Sequence, residues 1–314
     1  MKTIEIDAKP LFDLAGVEMP LDSVCIGEMS KVTYEFQQEN LKANWSYATF
    51  RAFVELRNRL GSAVDHVFLH AVGNGVEAIA AQYLFEPEYL SVSDINADAL
   101  KIAVENIIAN DIELSIAESS DLFQNSELVR FLESQRPSIA FANLPTIPKS
   151  GVDTQTEDAA SYYEEKYNQD CPELLQHLGL GLNYHFLRQV GAFQDSGDSA
   201  VIALGGRWSW EYVEQLFREA GYANVEQLFS MVKVQTQPED VIPGYAELNR
   251  KYDIGAFFIA LQKVDPEQFE SSGNLGVSFE KSLTHAKITA EIAEKQIGKQ
   301  EFGHILYVVR GIKS

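Results

Sequence analysis

His66-Val-Phe-Leu-His-Ala-Val-Gly-Asn-Gly75, a helical stretch from Val76 to Leu84, and then Tyr89-Leu-Ser-Val-Ser-Asp94 together decide the fold. The first run is apolar and bounded by glycines, as a buried strand would be. The second ends on a carboxylate. Strand, glycine turn, helix and strand in about 30 residues make one unit of a parallel sheet. A strand that stops at such a turn and opens a helix lets backbone N–H groups approach a cofactor closely. An acid about 20 residues after the glycines, at the end of the next strand, can accept from both ribose hydroxyls of a nucleotide-like ligand. Capping the following helix is the other use of Asp94, and a nicotinamide dehydrogenase would show the same pair.

The pattern continues outward. Asn96 can cap a helix in which Leu100, Ala103, Val104, Ile107 and Ile108 form one apolar stripe, with Asn110 suited to the left-handed C-terminal position. Further strands are expected at Ile112–Ala117, Ser138–Asn143 and Ser199–Leu204, with helices from about Leu178 to Gly191 and from Ser209 to Ala220. Apolar runs at Val225–Val234 and Ile254–Lys263 close the alternation. The expectation is an α/β, Rossmann-like sheet with helices on both faces over residues 61–264. A mostly helical cap (1–60) precedes it. An extension (265–314) with a helix at Phe279–Lys295 and a strand at Ile305–Val309 follows. Either flanking segment could cover an active site or form a homodimer contact.

Composition narrows the function. Forty-six acids against twenty-five bases give a net charge of −21, which would repel a phosphate backbone, so nucleic acid is not the expected partner. Two cysteines, Cys25 and Cys171, and six histidines show no metal-ligand spacing. The first residues lack the apolar core of a secretion signal, and no run is long enough to span a membrane. The expected setting is the cytoplasm.

Two later residues make the pattern specific. Asp121, in Ser119-Ser-Asp-Leu-Phe123, follows the third strand, where a carboxylate can accept from an adenine amino group. Asn143, in Ala142-Asn-Leu-Pro-Thr-Ile-Pro148, ends the fourth. The order of glycine turn, Asp94, Ser-Asp-Leu-Phe and Asn-Leu-Pro resembles class I S-adenosylmethionine (SAM) methyltransferases with an Asn-Pro-Pro-Tyr motif, whose sheet has seven strands. Over residues 60–305 the chain also resembles, more closely, the N-terminal methyltransferase domain of plant methionine S-methyltransferase and its stand-alone bacterial relatives. The similar segments are Gly73-Asn-Gly75, Ser91-Val-Ser-Asp-Ile-Asn96, Gly179-Leu-Gly-Leu182, Leu204-Gly-Gly-Arg207 and Leu216-Phe-Arg-Glu-Ala-Gly-Tyr222.

The resemblance implies SAM as cofactor, held by Ala71, Gly73, Gly75, Asp94, Ile95, Asp121, Leu122 and Asn143, and a small amino acid as acceptor. Asn143 and Tyr184 would be catalytic, and Tyr163, Arg207 and Asp240 would hold the substrate. Trp45, Tyr47, Tyr162 and Tyr163 could offer aromatic faces to the sulfonium. Methyl transfer to methionine sulfur leads. The departures keep alternatives open. The family's acid two residues before the first glycine is replaced here by Leu69 and Ala71 in that stretch, and Asn143-Leu-Pro-Thr146 lacks the aromatic. An asparagine carbonyl that accepts from an attacking N–H suits a nitrogen nucleophile better than a thioether. Two further readings therefore stand: cyclisation of SAM to azetidine-2-carboxylate plus methylthioadenosine, and N-methylation of the Asn-Pro-Pro-Tyr type.

Overall fold

The computed structural model describes residues 4–28, 32–33, 35–61, 64–146, 167, 170–273 and 276–314. The chain divides into two compact units. Met1–Asn143, Gln189–Ile202 and Arg310–Ser314 form the first; Leu144–Arg188 and Ala203–Val309 form the second.

The first unit opens with β1 (Ile4–Asp7), α1 (Lys9–Ala15), β2 (Cys25–Glu28) and α2 (Trp45–Leu60). The expected helical cap thus contains an antiparallel strand pair, with Ile6 opposite Ile26. It continues with β3 (His66–His70), α3 (Val76–Phe85), β4 (Tyr89–Asp94), α4 (Ala97–Ala109), β5 (Ile116–Ser119), α5 (Ser126–Ser134) and β6 (Ile139–Ala142). Helix α6 (Glu173–His177) and most of α7 (Gly181–Val190) belong to the second unit, and β7 (Ser199–Gly206) has its first half in the first unit and its second half in the second. Strand order β5-β4-β3-β6-β7, all parallel, is the Rossmann-like α/β arrangement expected from the sequence. Val67, Phe68, Leu69, Val92, Ala140 and Phe141 line its core, each 2% exposed or less. Buried histidines staple β3 to β4: His66 Nε2 meets Ser91 Oγ at 2.5 Å and His70 Nδ1 meets Ser93 Oγ at 2.8 Å.

Helix α4 ends differently from the expectation. Asp111, not Asn110, takes the left-handed conformation, at φ 59°. The Asp111 N–H donates to the Ile108 carbonyl and the Ile112 N–H to the Ile107 carbonyl, which is a Schellman closure. Ile112 is consumed as the apolar residue of that closure, so β5 starts at Ile116 rather than at 112.

The second unit adds α8 (Trp210–Glu219), β8 (Tyr222–Val234), α9 (Pro238–Tyr252), β9 (Phe257–Ala260), β10 (Glu270–Ser272), α10 (Gly276–Ser282), β11 (Lys287–Thr289), α11 (Ala290–Glu294) and β12 (Phe302–Lys313). Its strands run in the order β10-β8-β12-β7, with β9 pairing both β11 and β12. The helix expected over 279–295 is therefore interrupted. Lys287-Ile-Thr289 pairs with Phe257-Phe-Ile259, and a β-branched segment beside an apolar strand gains more from that pairing than from helix. Lys287 reinforces the break, with Nζ 2.6 Å from Glu280 Oε1 and 4.0 Å from the Phe257 ring centroid.

Candidate cofactor site

The site is built where the parallel strands end. His70 is in register with Ser93 of β4 and Ala142 of β6, and Asp94 with Ser119 of β5. Ala71, Asp94, Ser120 and Asn143 therefore leave the sheet along one carboxyl edge, where open α/β sheets bind ligands.

The turn after β3 is wound tightly. Ala71, Gly73 and Gly75 have φ of 55°, 57° and 84°. Gly75 is required on two counts: its positive φ, and Ala103 of α4, whose backbone oxygen would lie 3.0 Å from an added Cβ. Asp94 organises the turn. Its Oδ2 accepts from the Gly73 N–H (3.0 Å) and its Oδ1 from the Asn96 N–H (2.9 Å). Capping of α4 falls instead to Asn96, whose Oδ1 accepts from Asp98 and Ala99. Asp94 is buried, and burial raises its carboxyl above the ordinary range against the opposing backbone N–H groups of Asn96, Gly73 and Ile95. A carboxylate oxygen can accept more than one hydrogen bond, so each retains capacity for a hydroxyl. Ile95 beside it is 41% exposed.

Asp121 is half-buried just beyond β5. Ser120 Oγ donates to the Leu122 carbonyl (2.6 Å) and accepts from the Asn125 N–H (3.1 Å), and this clasp holds the buried Leu122 at φ 51°. Asn143, half-buried, follows the last residue of β6 directly. The glycine turn, Asp94, Asp121 and Asn143 are thus brought together on one unit.

Three nearby groups had no sequence signal that singled them out. Glu28, at the end of β2, is buried and hydrogen-bonded to the Asn74 side chain within the glycine turn; burial, above all, raises its carboxyl. Glu77, in the first turn of α3, accepts from Ser46 Oγ at 2.7 Å, and its carboxyl is likewise raised by burial. Asn106 of α4 ties the parts together: Oδ1 accepts from the Gly27 N–H (2.6 Å), and Nδ2 donates to the Gly27 (3.0 Å) and Asn74 (2.8 Å) carbonyls. Glu28 and the turn lie 45 residues apart in sequence, a spacing that no local pattern reports.

Tyr47 is only 2% exposed, with Lys42 Nζ 5.6 Å from its ring centroid. Trp45 is half-buried at the start of α2, while Tyr162 and Tyr163 lie outside the described residues. In the second unit, Tyr184 is buried on α7, its hydroxyl accepting from Arg188 Nη1 at 3.2 Å. Asp240 is exposed on the first turn of α9.

Arg207 is buried and held by neutral acceptors. Nε and Nη2 donate to Gln235 Oε1 (3.0 and 2.7 Å) and Nη1 to the Gly205 carbonyl (3.1 Å). Lys233 is pushed down to about 8 by burial. His304 is pushed down by burial first, and then by the charges of Arg207 and Lys233. Two buried bases, Arg207 and Lys233, thus lie beside a histidine that they hold neutral, and the pair could receive an anion. Among the described residues no cluster of His, Cys, Asp and Glu could hold a metal ion, and no helix is long and apolar enough to cross a membrane.

No family model matches the sequence, and no curated protein is similar to it by sequence. Solved structures similar to the chain include a candidate methyltransferase of Bacillus halodurans, 13% identical, covering 83% of this chain and 98% of its own with a TM-score of 0.43. A precorrin-6y C5,15-methyltransferase of Geobacter metallireducens is 12% identical over 90% of this chain and 99% of its own, with a TM-score of 0.42. A ribosomal protein L11 methylase of Lactobacillus delbrueckii is 14% identical over 63% of this chain and 74% of its own, with a TM-score of 0.37. At this level of likeness, function has to be argued from the site itself.

Proposed function

We propose that the chain is a SAM-dependent enzyme that acts on a small amino acid, with methyl transfer to methionine sulfur as the leading reaction. One observation carries the reading: a left-handed glycine turn, a buried Asp94 that anchors it, Asp121 and Asn143 sit along a single carboxyl edge. Asp94 holds the ribose hydroxyls while its backbone bonds fix the turn. Asp121 receives the adenine amino group. The turn of Ala71 to Gly75 leaves room for the backbone to approach the ligand. SAM supplies an electrophilic methyl on a sulfonium, already an excellent leaving group. The protein's task is alignment of donor and acceptor and exclusion of water rather than proton transfer. Glu28 and Glu77 place negative charge near a cationic ligand. Within the second unit, the buried guanidinium of Arg207 is of the chemistry that pairs with a carboxylate.

Asn143 favours a second reading. Its carbonyl can accept from an N–H, which a thioether lacks. The α-ammonium of SAM first gives a proton to solvent; the neutral amine then attacks its own γ-carbon, the carbon–sulfur bond breaks with its electron pair going to sulfur, and the ring nitrogen keeps its two hydrogens as an ammonium. Azetidine-2-carboxylate and methylthioadenosine result. Incubation with SAM, with and without methionine, separates the two readings by nucleoside product. S-adenosylhomocysteine formed only with methionine present supports methyl transfer. Methylthioadenosine formed from SAM alone, and lost in Asn143→Ala, supports cyclisation. Formation of neither nucleoside overturns both.

A further inference from the structure

We propose that Glu28 of β2 supplies the carboxylate missing from the glycine turn and receives the α-ammonium group of the methionine end of SAM. This inference rests on the SAM reading above. The ordinary first motif carries an acid ahead of its glycines; here that stretch is Leu69-His-Ala71, and it has none. Glu28 arrives from another element. It is 7% exposed, is hydrogen-bonded to the Asn74 side chain inside the turn, and receives the Phe36 backbone N–H. Its Oε1 is fully buried and has no hydrogen-bond partner among the described residues. A buried carboxylate oxygen left without a donor costs free energy, and an ammonium group bound at this carboxylate would offset that cost.

The position is built. The Asn106 side chain bonds both backbone groups of Gly27 and the Asn74 carbonyl at 2.6–3.0 Å, which fixes the residue before Glu28 against the turn. Asn110 Nδ2 donates to the Cys25 carbonyl at 2.8 Å and secures the same strand from the next turn of α4. Burial and the charge of Glu35 both raise the Glu28 carboxyl, and a neighbouring ammonium would offset both.

The test is calorimetric titration of wild type and Glu28→Gln with three nucleosides. S-adenosylhomocysteine carries the amino-acid end, its deaminated analogue lacks only the ammonium, and methylthioadenosine lacks the whole end. Glu28→Gln is expected to weaken S-adenosylhomocysteine at least tenfold. It should leave methylthioadenosine and the deaminated analogue within twofold. The melting temperature of the ligand-free variant should equal or exceed that of wild type, because an uncompensated buried carboxylate has gone. Equal losses for all three ligands, or no loss for S-adenosylhomocysteine, would overturn the assignment. Wild type that binds none of the three would overturn the SAM reading itself, a result distinct from either.

Discussion

Lowering the pH from 7 to 5 should remove about 2 kcal/mol of stability through His66 alone. His66 is 1% exposed. Its Nδ1 lies 2.8 Å from the Gln135 carbonyl, which can only accept, so Nδ1 carries the proton and Nε2 accepts from Ser91 Oγ at 2.5 Å. Burial holds the ring down to about 4, from 6.5. A base whose folded value is depressed is charged more readily in the unfolded chain. Its contribution is therefore complete above 6.5 and is lost as the pH falls toward 4. Between pH 7 and 5 the linkage relation gives a loss of about 1.8 kcal/mol, and fully buried His70, also pushed down to about 4, contributes about as much again. Glu28, Glu77 and Asp94 oppose this, since carboxyls raised by burial lose their penalty on acidification. The histidine share is isolated by comparing wild type with His66→Gln and His70→Gln in urea titrations at pH 7 and pH 5. Each variant should lose about 2 kcal/mol less than wild type over that interval, whatever its stability at pH 7. An identical pH dependence in wild type and variants would refute the reasoning.

Gly75→Ala should destabilise the first unit by about 2–3 kcal/mol, read from the urea midpoint, because a Cβ there meets Ala103 at 3.0–3.2 Å and the backbone is left-handed. Asp94→Asn should weaken S-adenosylhomocysteine about 10–100-fold in calorimetric titration, the range expected when hydrogen bonds to a charged acceptor are lost. Asn106→Ala removes three hydrogen bonds that pin β2 and should cost about 3 kcal/mol, seen as faster limited proteolysis within residues 4–28.

Much of the first unit was legible because its signals are local. Tyr89–Asp94 is a strand with the bounds its apolar run suggests, and Asn96 caps α4 as its position before the apolar stripe implies. Strand β3 stops at His70 rather than Val72 because Ala71 turns left-handed, a conformation that alanine does not announce. The α10–β11–α11 segment escaped because β9 decides it from 30 residues away, and tertiary pairing overrides helical periodicity. Helix α9 carries Pro238 at its start and Pro243 and Gly244 within it, residues that mask a helical pattern in the sequence. In the candidate site, Asp94, Asp121 and Asn143 are legible as candidates because each lies at or just past the end of a strand in sequence order. Glu28 is not, because its place depends on Asn106, 78 residues further on.

Strand β7 sets a constraint on how this protein comes to be folded. All of Ser199-Ala-Val-Ile-Ala-Leu-Gly-Gly206 is buried. Its start is closed by residues more than a hundred positions later: Arg310 Nε donates to Ser199 Oγ at 2.8 Å, and the Lys313 N–H to the Asp198 carbonyl at 2.8 Å. A ribosome adding about 5–20 residues per second needs roughly 5–20 s to make that intervening chain. For that interval an uncharged, apolar strand waits with one edge open, which is the kind of edge that recruits a neighbouring chain or a chaperone. Yield of native protein in the cell is thus tied to translation speed and holdase capacity as much as to the stability of the finished sheet.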